Sequence, residues 1–571
     1  MGKLNLYERP YHLNEDDVRW VQETLAGMTL EEKIGQVFFA IGLTDSDEDA
    51  LAMVEDLHIG GIMYRPNQAE KLKRRNDKIQ AAAKIPLLIA ANLEAGGSGA
   101  LVEGTLFGSQ LQVAATGRVE NARLLGDISG AEAASVGFNL AFAPVCDIDR
   151  NWRNPITNTR TYGSDPEVVR SMCSAYLDGI SKHGMAVSIK HFPGDGCDER
   201  DQHLVTSVND LSCEEWDATY GMIYRALIEQ GAQTVMAGHI MQPAYSRYFS
   251  PGLKDSEQMP ASCSKELIDG LLRTKLGFQG VVLTDAANMI GYCCAMERRQ
   301  QIPATINAGV DMILFGKNLE EDIRYLTDAV QAGIVPLERL DEACTRILGL
   351  KASLGLHKKE TFSVEGYADV VGCEAFRALA QTCADQAVTL VKDTQRLLPV
   401  TPDTHKRVWL FIVGDKPGFT GGASCKDWVV EALTQAGFEV DCYDSDHCDI
   451  SETVIPMEQI RREHDIIMYF SNVINASYQT CARIQWHGTV AEDGPYFVNE
   501  LPTLFVSLGN PYGFVDVPMI RTIVNAYNAS PYTVKAVVDR ITGKAPFEGT
   551  SPVDPFCGMF GKDIWWKVAW I

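Results

Sequence analysis

Two short stretches of the chain hold residues whose types and spacing could do chemistry. The first, Ser188–Leu204 (SIKHFPGDGCDERDQHL), packs two His, four acids, a Lys and an Arg around one Pro and two Gly. Asp201 and His203 lie two apart within it. A carboxylate at that spacing can hold one imidazole nitrogen, fix the tautomer and raise basicity. The other nitrogen is then free to exchange protons near neutral pH. As a bare pair, Asp-x-His is common and says little. The second stretch, GVVLTDAANM, places Asp285 at the end of an apolar run. On spacing alone, Asp285 reads equally well as a nucleophile or base at a strand end, or as an N-cap for a following helix.

Other polar groups end apolar runs in the same way: Asn92 and Glu94, Asp147 and Asp149, Lys190 and His191, and His239. Desolvating each of them unpaired would cost kilocalories. Their recurrence at five run ends therefore points to a site for a small, polar, hydroxyl-rich ligand. The runs themselves are residues 36–42, 60–65, 86–92, 138–145, 186–192, 234–240, 280–286 and 311–316. Each is nearly continuous in apolar residues, as strands buried on both faces must be. Amphipathic helical patterns such as KELIDGLLRTKL (265–276) lie between most of them. Eight such strands alternating with helices predict a (β/α)8 TIM-like barrel, with an open doubly wound sheet as the alternative. In a barrel, the polar run ends would all meet at one mouth.

The barrel domain is expected over 1–356, a linker and entry helix over 357–385, and a C-terminal α/β domain with a mainly parallel sheet over 386–571. That last domain rests on a second series of runs, 387–392, 408–414, 438–444, 465–470, 503–509 and 522–528. Its GFTGGAS (418–424) fits no nucleotide-binding fingerprint and reads as a turn.

The net charge of −24 disfavours nucleic acid and anionic membrane as partners. The N-terminus shows no signal peptide, and no window approaches a membrane span. Met-Gly at the start is followed by Leu6 where myristoylation needs Ser or Thr. Fifteen Cys without a CxxC pair read as reduced thiols of a cytoplasmic protein, not as a disulfide framework or a structural zinc site. The expectation is a soluble, cytoplasmic enzyme, either a monomer or a homodimer.

Taken together, these motifs resemble glycoside hydrolase family 3, in its branch of bacterial β-N-acetylglucosaminidases. That branch carries Lys-His-Phe-Pro-Gly-x-Gly, four further residues, and then Asp-x-His. Here KHFPGDG (190–196) is followed by CDER and DQH (201–203). GVVLTDAANM resembles the strand end that bears the family nucleophile, and FAPVCDIDRNWRNPITNTRTYGSDPEVV (142–169) the segment whose Arg binds the sugar, here Arg160. The resemblance implies a retaining glycosidase that forms a covalent glycosyl-enzyme on Asp285. Asp201 and His203 would be the acid/base dyad, carried on a mobile arm that returns over Asp285. Lys190, His191 and Arg160 would grip sugar hydroxyls, with Asn92, His239 and Asp147 completing the pocket. The substrate is expected to be a small carbohydrate, with phosphate as an alternative acceptor to water, and no metal or organic cofactor is required. The rivals are a β-glucosidase or β-xylosidase of the same family and a catalytically silent sugar-binding protein.

Two positions depart from the family pattern. NLEAGG (92–97) puts Asn92 where Asp is usual, replacing a charged acceptor for sugar hydroxyls by a weaker neutral one. PGDG puts Asp195 where His is usual, and a structural part in the loop is expected for it.

Overall fold

Eight short parallel strands follow one another around a closed ring in the computed structural model, which describes residues 4–42, 46–359, 362–415, 424–445 and 450–558. They are β1 (Phe38–Gly42), β2 (Gly61–Tyr64), β3 (Leu88–Ala91), β4 (Leu140–Ala141), β5 (Ala186–Phe192), β6 (Thr234–Ala237), β7 (Val281–Ala286) and β8 (Met312–Leu314). Each falls within one of the eight apolar runs. The pairing Phe38↔Ile313 joins β1 to β8 and closes the ring, which excludes the open-sheet alternative. Apolar side chains from β3, β5, β6, β7 and β8 (Leu88, Ala90, Ala186, Met236, Val281, Leu283, Met312 and Leu314 among them) fill one buried cluster. This is the packed interior expected of an eight-stranded barrel.

Helices alternate with the strands, and their ends follow from local sequence. Asn14 caps helix Glu15–Gly27 by accepting from the Asp17 N–H at 3.0 Å. Thr29 and Glu32 form a reciprocal capping box at the start of Leu30–Gln36. The long helix Leu337–Ser353 packs against Glu15–Gly27.

At the end of the barrel where the strands begin, Asp311 is fully buried. It accepts from Arg273 Nη2 and Arg339 Nη2, both at 2.7 Å, and from the Val282 N–H at 2.9 Å. Arg346 Nη1 stands 3.7 Å away. Burial alone would push the Asp311 carboxyl up, but the three guanidiniums outweigh it and hold it below the usual carboxylate range.

By contact density the chain falls into two compact units. The first comprises Met1–Phe107, Ala122–Arg150 and Pro166–Arg377, and the second Gly108–Asn121, Asn151–Asp165 and Ala378–Ile571. The second unit holds a six-stranded sheet of β9 (Thr389–Asp393), β10 (Arg407–Val413), β11 (Glu439–Cys442), β12 (Ile466–Ser471), β13 (Thr503–Ser507) and β14 (Thr522–Asn525). The order is β9-β14-β13-β12-β10-β11. All neighbours are parallel except β9, which runs antiparallel to β14 and makes the sheet mixed. Separate apolar clusters cover its two faces, one around Val408, Leu410 and Met468 and one around Trp409, Phe411 and Tyr469. Of GFTGGAS, residues 418–423 lie outside the described residues. No described helix is long and apolar enough to cross a membrane.

The Asp311 cluster yields the first prediction. Asp311→Asn leaves the guanidiniums of Arg273, Arg339 and Arg346, two of them buried, without their shared charge, at a cost of about 3–5 kcal/mol of stability. Urea unfolding should show that loss, and a variant within about 1 kcal/mol of the parent would mean that the cluster contributes little.

Candidate active site

Every candidate strand-end group of the barrel lies on the opposite rim, where the strands finish. Asn92 and Glu94 follow β3, Asp147 follows β4, Lys190 and His191 lie near the end of β5, His239 follows β6, and Asp285 lies at the end of β7. Between Ile189 and Phe192 the register of β5 against β6 shifts. An irregularity of this kind re-aims side chains, and here the neighbours Lys190 and His191 both enter the polar cluster of the rim.

Asp285 is the centre of that cluster. Its Oδ1 accepts from the Ala286 N–H at 2.7 Å, while Oδ2 is buried and takes no hydrogen bond among the described residues. His191 Nε2 faces Oδ2 at 3.8 Å. Burial pushes the Asp285 carboxyl up, but the nearby His191, His239 and His203 imidazoles and the Ala286 N–H more than offset this, bringing it to about 2. A carboxylate held ionised, with one oxygen unoccupied, is equipped to act as nucleophile or base. The N-cap alternative is not realised. The next helix, Ile290–Cys293, starts from Met289 and has no side-chain cap.

The polar loop after β5 carries the second chemical group. Asp201, fully buried, accepts from the His203 backbone N–H at 2.9 Å and from its Nδ1 at 2.7 Å, both on Oδ1. Because a carboxylate only accepts, Nδ1 carries the proton. The loop lies against the segment that follows Asp285. The Ile290 N–H donates to the His203 carbonyl at 3.0 Å, and Thr206 Oγ1 donates to the Gly291 carbonyl at 2.8 Å. A Cβ on Gly291 would sit 2.2 Å from the Gln202 carbonyl, so the approach requires glycine.

The arm is anchored rather than free. Trp216 Nε1 donates to the Pro193 carbonyl at 2.7 Å, and Asn209 Nδ2 donates to that of Gly194 at 3.1 Å. Gly194 adopts φ +117°, and a Cβ there would meet the Tyr220 ring at 2.1 Å. At the exit, Ser207–Val208 pairs in parallel with Ile240–Met241. These bonds tie the arm to the residues that follow it and to the segment after β6.

Two of the expected sugar ligands are otherwise occupied. Asp147 is buried, and its Oδ1 accepts from the His191 and Asp195 backbone N–H groups at 3.1 and 2.8 Å. Its Oδ2 takes His191 Nδ1 at 2.6 Å. Asp147 thus orients His191 and presents no oxygen to a ligand. His239 is likewise buried, with Nδ1 at 2.9 Å from Ser262 Oγ and Nε2 at 3.0 Å from the Ala286 carbonyl. Nε2 must donate to the carbonyl, so Nδ1 accepts from Ser262, and neither nitrogen remains for a sugar. Burial lowers the pKa of this imidazole from 6.5 to about 4, against the opposing pull of Asp285.

Lys190 and Asn92 do come together. Lys190 Nζ lies 2.6 Å from Glu94 Oε1 and 3.4 Å from Asn92 Oδ1. Glu94 was not singled out as a ligand from sequence. The signal for it was its place two residues past Asn92, at the same strand end. Asp149 is buried in the segment after β4. Arg160 belongs to the second unit, half-buried at the end of the short turn Asn158–Arg160. His191, His203 and His239, the imidazoles around Asp285, belong to the barrel unit.

With the geometry in place, similarity to known proteins can be stated. Residues 29–350 match the glycosyl hydrolase family 3 N-terminal domain. Over 564 residues, 98% of this chain and 100% of the relative, the sequence is 42% identical to a β-N-acetylglucosaminidase/β-glucosidase of Cellulomonas fimi. Among solved structures, a β-glucoside phosphorylase superposes with TM-score 0.93 at 41% identity, covering 97% of this chain and 99% of that one. A Paenibacillus β-N-acetylglucosaminidase of the same family shares the fold, at TM-score 0.78 and 24% identity over 93% and 99% of the two chains.

His239 sets the pH dependence expected here. Its folded pKa, about 4, lies below the 6.5 of a free imidazole, so the unfolded chain binds more protons between those values. Its contribution to stability is full above 6.5 and is lost as pH falls towards 4, on the order of 3 kcal/mol in all. Melting temperatures across this window should fall more steeply for the parent than for His239→Gln. Parallel curves would contradict a buried neutral imidazole.

Proposed function

The chain belongs to glycosyl hydrolase family 3, and on that footing we propose that it is a retaining, exo-acting glycosidase that releases terminal β-linked N-acetylglucosamine from small glycosides. The observation that carries this reading is the buried, ionised Asp285 with its open Oδ2, beneath a loop bearing the Asp201–His203 pair.

In the first step Asp285 Oδ2 attacks the anomeric carbon. The bond to the leaving-group oxygen breaks as His203 Nε2 delivers a proton to that oxygen. Asp201, on Nδ1, holds the ring in place and stabilises the charged form that enters this step. In the second step the same nitrogen takes a proton from water, whose oxygen attacks the anomeric carbon and frees Asp285. Two inversions return the original configuration. Lys190 and Glu94, with Asn92 beside them, hold sugar hydroxyls, and Asp147 keeps His191 in orientation beside the nucleophile. No step calls for a metal or organic cofactor. The described cysteines are all free thiols, which supports a reducing, cytoplasmic location and small imported substrates.

One specific feature favours a second reading, transfer to phosphate. Most retaining glycosidases place a carboxylate where this chain places His203, and a carboxylate repels an incoming anion. A neutral imidazole does not. A phosphate oxygen can then attack the same intermediate, releasing Asp285 and giving a sugar 1-phosphate. The 41% identical structure described as a β-glucoside phosphorylase lends weight to this variant.

Two experiments follow. A 2-deoxy-2-fluoro glycoside with a dinitrophenyl leaving group should label Asp285 stoichiometrically, and Asp285→Asn should lose roughly 10⁴-fold in turnover. A label on any other residue, or an active Asn variant, overturns the nucleophile assignment. Nitrophenyl N-acetylglucosaminide should be cleaved faster than nitrophenyl glucoside. If added phosphate accelerates that cleavage and sugar 1-phosphate accumulates, the acceptor is phosphate; free sugar alone makes it water.

A further inference from the structure

The Asp-x-His motif treats its middle residue as a spacer, yet Gln202 is as deeply buried as Asp201 and makes two side-chain hydrogen bonds. Its Nε2 donates to Asp195 Oδ2 at 3.2 Å. Its Oε1 accepts from the His239 backbone N–H at 2.8 Å. We infer that Gln202, held by Asp195, is a positioning residue that fixes the His203 imidazole with respect to Asp285. The inference rests on His203 being the acid/base group.

Both partners of Gln202 lead to the nucleophile by short, buried routes. On one side, the His239 ring holds the carbonyl of Ala286, the residue after Asp285. On the other, the Asp195 backbone N–H donates to Asp147 Oδ1 at 2.8 Å. Asp147 Oδ2 in turn holds His191, whose Nε2 faces Asp285 Oδ2 at 3.8 Å. Asp195 is itself fixed. Its Oδ1 takes the Gly196 N–H at 2.7 Å, and its backbone carbonyl takes Tyr220 Oη at 2.7 Å. A neighbouring Cα is only about 3.8 Å from that of Gln202, so immobilising this side chain leaves little freedom for the backbone of His203. The arm would otherwise be a glycine-bearing excursion tied at its ends.

Asp195 also acquires a reason for its chemical type. Oδ1 and Oδ2 each accept an N–H, from Gly196 and from Gln202. A carboxylate does this with both oxygens, and no neutral side chain of that length offers two acceptor atoms. The Asp at this position and the Gln between Asp201 and His203 thus form one device.

The rival account is that Gln202 is a satisfied buried amide that only adds stability. Removing it takes a hydrogen bond from the His239 N–H and from Asp195 Oδ2 in either account, so loss of stability alone decides nothing. Dependence on the leaving group does. A displaced His203 slows reactions that need a proton donor and spares those that do not.

The experiment compares kcat/KM of the parent, Gln202→Ala and His203→Ala over aryl and alkyl glycosides of rising leaving-group pKa, with melting curves as a check on folding. Gln202→Ala should stay within about threefold of the parent on dinitrophenyl glycosides and lose about tenfold or more on alkyl glycosides, as partial loss of acid catalysis requires. The steepened dependence should parallel that of His203→Ala. Asp195→Ala cuts the same link from the other side, and a double variant should lose no more than Gln202→Ala alone. A uniform loss across all leaving groups, or a native profile, overturns the inference. If His203→Ala itself shows no dependence on the leaving group, it is the acid/base reading that fails. If His203→Ala shows it and Gln202→Ala does not, only the positioning role fails.

Discussion

Asp285 must be ionised where ionisation is costly. It lies at the end of a buried strand, and removing a carboxylate from water without compensation would raise its pKa and protonate it. The compensation comes from the Ala286 N–H and from the His191 and His203 imidazoles, carried by β5 and by the loop after it. Among the described residues, one hydrogen bond is spent on the carboxylate itself. More direct donors would stabilise the charge further, but each would occupy a lone pair that the reaction needs. Compensation through space keeps Oδ2 available. Much of the rim can be understood from that single requirement.

Imidazoles can serve this purpose only if each is held in one orientation, and the remaining buried polar groups do that. Asp147 fixes His191, Asp201 fixes His203, and Ser262 with the Ala286 carbonyl fixes His239. Two of the three histidines have a carboxylate on Nδ1, so the pattern proposed for the acid/base pair occurs a second time beside Asp285. Buried polar networks are stabilising only when their members are satisfied. That condition explains why the loop after β5 is so densely bonded, through Trp216, Asn209, Tyr220 and Gln202, although it lies outside the strands. Fixed catalytic groups require fixed supports, and the barrel supplies rigidity only up to the strand ends.

The barrel was legible in the sequence because parallel strands buried on both faces leave unbroken apolar runs, and all eight runs became strands. Asp201 and His203 were legible as a pair because the spacing is local. What could not be read was which polar residue is already satisfied. Asp147 and His239 look like ligands in sequence because they end strands, yet their partners (a backbone N–H from residue 195, a hydroxyl at 262, a carbonyl at 286) come from distant positions that no local pattern announces. Asp195 was opaque for the same reason, since its role lies in a bond to Gln202. Glu94 shows the converse. It was visible in NLEAGG, but its importance comes from Lys190, almost a hundred residues on. Strand β9 was visible as the run 387–392, but its antiparallel direction was not, because the direction of a strand leaves no trace in its composition.

The amide at position 92 can now be placed in this scheme. Lys190 has one close carboxylate, Glu94 at 2.6 Å, and a longer contact to the Asn92 carbonyl oxygen at 3.4 Å. A carboxylate at 92 would give the ammonium two close anions and would offer a sugar hydroxyl a charged acceptor. The amide removes a negative charge from the rim and adds a donor, since its NH₂ can give a hydrogen bond while a carboxylate only accepts. On the proposed glycosidase reading, hydroxyl recognition at this corner relies on Glu94 and Lys190 for its charge-assisted bonds. Asn92 is left able to meet either a donor or an acceptor on the ligand. A group that can satisfy both discriminates weakly between them, because strong rejection requires a buried polar group that the wrong ligand leaves unpaired. Strict selection at that ligand position has to come from the charged pair, and the carboxylate of that pair is already shared with Lys190.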